Sequence, residues 1–216
     1  MVQVLNRSSN LSLDGGPSER VQRKNEARRV SILRAAARVF RRLGVSATAM
    51  REIAEEADLS PGNLYYYFSG KDEILLYCQE RTLERLAASV KAARAIPSSW
   101  AGRLRSVLSG HVHCMLDELE GATAHLEVEA LPEAMRAGVV QKRDAYERAV
   151  RALVAEGVKA GEFAAADPAL VTRAMLGAVN WTARWYRHDG AQSASQIADS
   201  LSDYLVRGLL AARKAR

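Results

Sequence analysis

Residues 60–71 read Ser-Pro-Gly-Asn-Leu-Tyr-Tyr-Tyr-Phe-Ser-Gly-Lys. The groups gathered here bind rather than react. Asn63 can offer a donor and an acceptor to one base edge. Pro61 and Gly62 carry little bulk, so their backbone can approach a partner closely. The rings of Tyr65, Tyr66 and Tyr67 can pack on methyl groups and sugars while their hydroxyls reach phosphate oxygens. Lys71 can neutralise a phosphate. Ser60 caps the helix that starts here, whose first N–H groups face outward toward any anion. Arg51 and Thr48, a few residues upstream, can reach a backbone phosphate or an adjacent base. A second reading makes the tyrosines the half-buried packing of a surface hairpin, leaves Tyr66 solvated, and pairs Arg51 with Glu55 four residues on.

Helical elements must position these groups. The chain beyond residue 20 is rich in Ala, Leu, Arg and Glu, poor in proline, and shows no alternating strand pattern. A first helix is expected over about 21–43, with Leu33, Ala36, Phe40 and Leu43 at helical spacing and Gly44 as its stop. A second covers about 49–57, capped by Thr48. The third runs from Pro61, a favourable first-turn residue, to about Phe68. At about 100° per residue, Leu64 and Phe68 share one face, Tyr66 points away from it, and Tyr65 and Tyr67 flank Tyr66. Two short helices joined by a tight turn describe a helix-turn-helix, whose second helix enters the major groove of double-stranded DNA. Ser69 with Asp72 is read as the capping box of a fourth helix reaching about Arg94. Further helices are expected over about 99–119, within 121–132, over about 137–160, from Pro168 to about Arg187, and after a Ser193/Gln196 capping box. The fold class is all-α.

Charge placement agrees with a polyanionic partner. Residues 1–71 hold 12 Lys/Arg against 7 Asp/Glu, and the remainder holds 19 against 18. Residues 1–20 are rich in Ser, Asn and Gly and are read as a flexible segment. No run is long and apolar enough for a membrane span, and the start shows no secretory pattern. Cys78 and Cys114 lack metal or redox spacing and are read as reduced thiols of a cytoplasmic protein. His111, His113, His125, Glu127 and Glu129 do not converge, because residues two apart on a helix point in opposing directions, so no metal is expected. No nucleophile elbow or phosphate-binding glycine loop is present, so neither an enzyme nor a cofactor site is expected.

The segment ATAMREIAEEADLSPGNLYYYFSGKDEIL resembles the DNA-binding region of TetR-family transcriptional regulators. It fits that pattern at Thr48, Arg51, Ile53, Ala54, Gly62, Leu64, Tyr65, Phe68 and Lys71, and departs at Ala49, where a second threonine is common. The resemblance covers about residues 26–86. The tail NWTARWYRHDGAQSASQIADSLSDYLVRGL is similar to the C-terminal end of a subgroup responding to acyl-CoA thioesters, through its Arg-Trp-Tyr-Arg run, the following glycine and the closing Gly-Leu. It implies an all-helical homodimer that binds a palindromic operator, with residues 21–71 as the helix-turn-helix domain and 72–216 as the ligand-binding and dimerisation domain.

The C-terminal half offers its own candidates. On a helical wheel Trp185 lies about 40° from Trp181, and Arg184 about 60° to the other side. Two indoles and a guanidinium then share one side, with Gly177 and Ala178 one turn before. Such a face could line a cavity for a small hydrophobic effector such as an acyl-CoA, with Arg184 or Arg187 on a CoA phosphate. His111 and Met115, on the broad apolar face of the fifth helix, complete the expected site. The alternative is that the tryptophans fill the core or a dimer seam. The function expected is a ligand-responsive repressor. The rivals are an efflux regulator that senses uncharged drugs and, further off, an all-helical enzyme.

Overall fold

The computed structural model describes residues 19–116 and 127–211. Its helices are α1 (Glu19–Leu43), α2 (Met50–Glu56), α3 (Pro61–Tyr67), α4 (Lys71–Ala95), α5 (Trp100–Leu116), α6 (Glu133–Lys159), α7 (Pro168–Trp185) and α8 (Ala194–Arg207), with a 3₁₀ turn at Val128–Ala130 before α6. There is no strand among the described residues; one isolated antiparallel bridge joins Phe163 to Leu210. No described helix is long and apolar enough to cross a membrane. Most of the segment expected to be flexible, and residues 121–126 of the stretch expected to hold a short helix, lie outside the described residues; within 127–132 the chain forms only the 3₁₀ turn.

Each helix start and stop has a local cause. Gly44 ends α1 in the left-handed region at φ +78°, a conformation that costs glycine nothing, and its N–H donates to the Phe40 carbonyl at 2.8 Å. The turn between α2 and α3 passes through Asp58 at φ +52°, where a short polar side chain is tolerated. Ser60 Oγ accepts the Asn63 N–H at 3.2 Å, and Pro61 fills the first helical position. Ser193 and Gln196 form the expected reciprocal capping box, and Asp167 caps α7 ahead of Pro168.

Two expected caps differ. Ala49, not Thr48, occupies the cap of α2, because the Thr48 hydroxyl turns back to donate to the Gly44 carbonyl at 2.7 Å. Glu52 instead reaches back to the Ala49 N–H. The α4 cap is Gly70, and Ser69 bonds Glu73 rather than Asp72, through its N–H at 2.7 Å and its hydroxyl at 2.9 Å.

The 25-residue α4 links two packed groups of helices. Ile74, Leu75 and Cys78 are buried near its start, where it packs on α1; Leu83, Leu86, Val90 and Ala93 are buried farther along, where it packs on α5 and α6. The helix α5 lies centrally, against α4, α6, α7 and α8, and Leu104, Val107, Leu108 and Val112 on it are fully buried. At the end of α6 a methyl group on Gly157 would overlap the Phe163 ring, so glycine there lets the chain fold back on itself. Both cysteines are buried and unbridged.

Candidate nucleic-acid interface and effector cavity

The orientation of α3 is fixed from behind by two anchors. Leu64 and Phe68 are fully buried, whereas Tyr66 is 75 % exposed and Tyr65 55 %. Tyr67 is half-buried and meets the Tyr66 ring edge-on at 5.0 Å, so only part of it faces outward. Ser60, Pro61, Gly62, Asn63 and Arg51 are all exposed on the same short motif. Arg51 lies 3.8 Å from both Glu52 and Glu55, beyond hydrogen-bond reach, so its guanidinium is held only loosely.

Gly62 is informative because nothing among the described residues requires it. A Cβ added there would meet no atom within 4 Å, and its φ lies outside the left-handed region. A partner whose surface approaches the backbone closely would favour so small a residue on this helix. Gly62→Ala is therefore expected to raise stability by about 0.5–1 kcal/mol, by reducing the freedom of the unfolded chain. The same change should weaken duplex binding about tenfold. Thermal melts and a fluorescence-anisotropy titration measure the two effects separately.

A residue of α1 that the sequence did not single out holds this motif to α4. The Arg29 guanidinium donates to the Tyr67 carbonyl at 2.9 Å and to Glu73 at 3.4 Å. It also lies over the Phe68 ring at 4.1 Å and the Tyr77 ring at 4.7 Å. Burial alone would raise the Glu73 pKa, but the hydrogen bonds from Ser69 and Arg29 outweigh it and hold the carboxyl below its ordinary value. Farther along, the Tyr77 hydroxyl donates to Glu26 at 2.5 Å; burial first, and then that carboxylate, push its pKa up to about 12. The end of the recognition helix and the start of α4 thus share one set of polar ties. No sequence pattern marks Arg29, since its partners lie 38 and 44 residues away.

Lys71 and Thr48 depart from their expected roles. The Lys71 ammonium donates to the carbonyls of Val45 (3.1 Å), Ser46 (2.9 Å) and Thr48 (3.0 Å). An ammonium has three donors, and all three are committed inside the protein, so a direct phosphate contact is not open to it. Thr48 is buried with its hydroxyl bonded to Gly44, which removes it from the outer surface. Lys71→Met is expected to cost about 1.5–3 kcal/mol of stability and to leave the salt dependence of duplex binding unchanged. A loss of slope by about one would instead restore the phosphate role.

In the C-terminal half, two neighbouring spaces adjoin α4. An open apolar groove of about 540 Å³ runs between α4 and α6, floored by Leu83, Ala87, Val90 and Ala149. A polar cavity of about 390 Å³ lies between α4, α5, α6 and α7. Leu83 and Tyr146 line both. His111 is sealed at the cavity wall, with Nδ1 2.9 Å from the Tyr146 hydroxyl and Nε2 2.9 Å from Asn180 Oδ1. Burial, and to a lesser degree the Arg143 charge, lower its pKa to about 4 against the hydrogen bond it donates to Asn180, so the ring is neutral at pH 7.

The expected ligand residues do not gather. His111 borders the polar cavity, and Met115 is buried beside it on α5 without lining either space. Trp181 and Trp185 are 65 % and 48 % exposed, and neither lines the groove or the cavity. Arg184 stands 3.7 Å from Glu127, and Arg187 pairs with Asp189, both on the surface. The wheel grouped these side chains correctly, but their side of α7 faces away from the core. Tyr146, Asn180 and Arg143 were missed; the only signal was that Tyr146 is the one aromatic residue of α6. Among the described residues no three His, Cys, Asp or Glu side chains gather as a metal site; His125 lies outside them.

Comparison with known proteins agrees with this geometry. Residues 32–78 match the family model described as "Bacterial regulatory proteins, tetR family". Residues 97–209, more than half of the chain, match "Tetracyclin repressor-like, C-terminal domain". The HTH-type transcriptional repressor KstR2 of Mycobacterium tuberculosis is 27 % identical over 198 residues, covering 88 % of this chain and 97 % of that protein. The crystal structure of PfmR, a TetR-family regulator of Thermus thermophilus, superposes with a TM-score of 0.74 at 30 % identity, covering 82 % of this chain and 97 % of that one. AibR, crystallised with isovaleryl coenzyme A and operator DNA, shares the fold at a TM-score of 0.72 and 22 % identity, over 83 % of this chain and 98 % of that one. The chain belongs to the TetR family of bacterial transcriptional regulators, DNA-binding proteins that are not enzymes.

Proposed function

We propose that this chain is a repressor that binds a palindromic operator as a homodimer and is released by an acyl-CoA thioester. The outward face of α3 carries the reading: an exposed Gly62-Asn63 start and two exposed tyrosines on a helix pinned by Leu64 and Phe68. In this reading Asn63 contacts a base edge, Tyr65, Tyr66 and the exposed part of Tyr67 contact sugar and phosphate, and Arg51 exchanges its loose carboxylate partners for a phosphate.

Dimerisation is supported by an apolar stripe that one copy leaves uncovered. Leu170, Ala174, Gly177, Trp181 and Trp185 recur at helical spacing along the exposed side of α7. Tyr204 on α8 and Gly208 just past its end line an apolar groove of about 550 Å³ between the two helices. Two such pairs form a four-helix bundle about a two-fold axis, which would set two recognition helices about 34–36 Å apart, one turn of duplex.

The effector class is supported by the tail's resemblance, by the kind of molecule AibR is crystallised with, and by an apolar groove whose rim carries Lys91, Arg94 and Lys142. An effector seated against α4 shifts the balance toward a conformer whose ties at Arg29 and Lys71 carry the recognition helices out of register, by as much as its affinity differs between the two states. A gel-shift titration on the DNA upstream of its own gene, repeated with acyl-CoAs and with uncharged hydrophobic compounds, tests this. Release by acyl-CoAs is expected; release by the uncharged compounds alone would remove the thioester from the reading.

A further inference from the structure

The His111 network has a direction. Asn180 Oδ1 can only accept, so His111 Nε2 carries the ring proton and donates to it. The neutral ring then has a lone pair at Nδ1, and the Tyr146 hydroxyl donates there. Through this relay a sealed imidazole fixes the Asn180 amide with its NH₂ group turned away from the ring. That NH₂ has no hydrogen-bond partner among the described residues, and Asn180 lines the polar cavity.

Arg143 lines the same cavity and is half-buried. Its guanidinium makes no hydrogen bond and no ion pair among the described residues. Of the two carboxylates on the cavity wall, Glu147 is drawn to Arg173 at 3.6 Å; Asp144, the exposed chain neighbour of Arg143, and Glu129 attract its charge, but neither forms an ion pair with it. A partly desolvated guanidinium and a preset amide therefore face one space with donors that no hydrogen bond among the described residues uses. A planar oxyanion satisfies both, because the guanidinium fork matches two oxygens at once.

We infer that this cavity is an oxyanion site, in which Arg143 and the Asn180 amide receive a carboxylate or phosphate of an amphipathic ligand whose hydrocarbon part lies past Leu83 and Tyr146 in the apolar groove. The inference rests on the effector reading above and adds to it which residues select for charge. The anion has two possible sources: a carboxylate on the hydrocarbon part, or a phosphate of the CoA part.

Calorimetric titration of the purified chain and of Arg143→Gln with four probes tests it: octan-1-ol, octanoate, octanoyl-CoA and CoA alone. Arg143 makes no hydrogen bond or ion pair among the described residues, so the variant should fold; a melt checks this, and Arg143→Lys, which keeps the charge but not the fork, serves as the second variant. At least one anionic probe should bind ten times more tightly than octan-1-ol. Arg143→Gln should abolish that preference and leave the octan-1-ol affinity within twofold, with Arg143→Lys intermediate. Octanoate showing the preference identifies a carboxylate; CoA and octanoyl-CoA showing it without octanoate identify a phosphate. Equal affinities for charged and uncharged probes, or no effect of Arg143→Gln on any anion, overturns the site. Octanoyl-CoA releasing the operator equally from the wild type and from Arg143→Gln would sink this inference and leave the effector reading intact. Arg143-dependent octanoate binding with no release by any acyl-CoA would do the reverse.

Discussion

Phe68→Ala is expected to lower the stability of the chain by about 3–5 kcal/mol, the usual cost of deleting a buried aromatic ring. Tyr66→Ala, two residues earlier, should change it by less than about 0.5 kcal/mol. Phe68 is fully buried, its centroid is 5.6 Å from the Tyr77 ring, and the Arg29 guanidinium covers it at 4.1 Å. Deleting the ring opens a cavity and leaves that cation without its platform. Tyr66 instead projects from the opposite side, and its one ring neighbour is Tyr67. The expected effect on operator binding is inverted in kind. Tyr66→Ala should weaken binding about tenfold, within the 1–3 kcal/mol of a single good contact, in a fully folded protein. Phe68→Ala should lose binding because the motif no longer holds its shape. Denaturant unfolding together with anisotropy on one operator separates the two, and equal destabilisation by both would mean that α3 is rotated from the orientation described.

Trp181→Glu is expected to turn the dimer into monomers and to lower operator affinity by roughly 10²–10⁴. A carboxylate at the centre of the α7 stripe would be buried without a partner in a two-fold bundle, and twice, once from each copy. The fold of one chain should survive, because Trp181 is 65 % exposed there and supports no core contact. Light scattering reads the mass, and anisotropy reads the affinity. The loss in affinity follows from valence alone: two tethered recognition helices bind the second half-site at a high effective concentration, and one does not. A variant that stays dimeric would move the seam elsewhere.

Much of this molecule is readable without coordinates, and the reason is local. Gly44, Asp167, Pro168 and the Ser193/Gln196 pair each act on backbone groups within four residues, so their meaning survives any tertiary arrangement. The face of α3 was equally readable, since the spacing of Leu64 and Phe68 fixes where Tyr66 must point. Where the local rules failed, competing partners lay close at hand. Ser69 had acidic residues at both three and four positions along and bonded Glu73. Thr48 could cap α2 or turn back to Gly44, and it turned back.

Lys71, Arg29 and the two tryptophans were not decidable from spacing. The ammonium of Lys71 meets carbonyls 23 to 26 residues away, and Arg29 binds a turn that α1 reaches only after the motif has closed. Helical period gathered Trp181, Arg184 and Trp185 on one side of α7, but a period defines a face without naming what covers it. The amino-acid sequence by itself determined most of the helices and several of their caps, the outward face of α3 and the family. Only the tertiary structure decided which cations are spent inside the chain, which residues wall the cavity beside α4, and that the indoles look outward, because those outcomes depend on side chains brought together from distant turns.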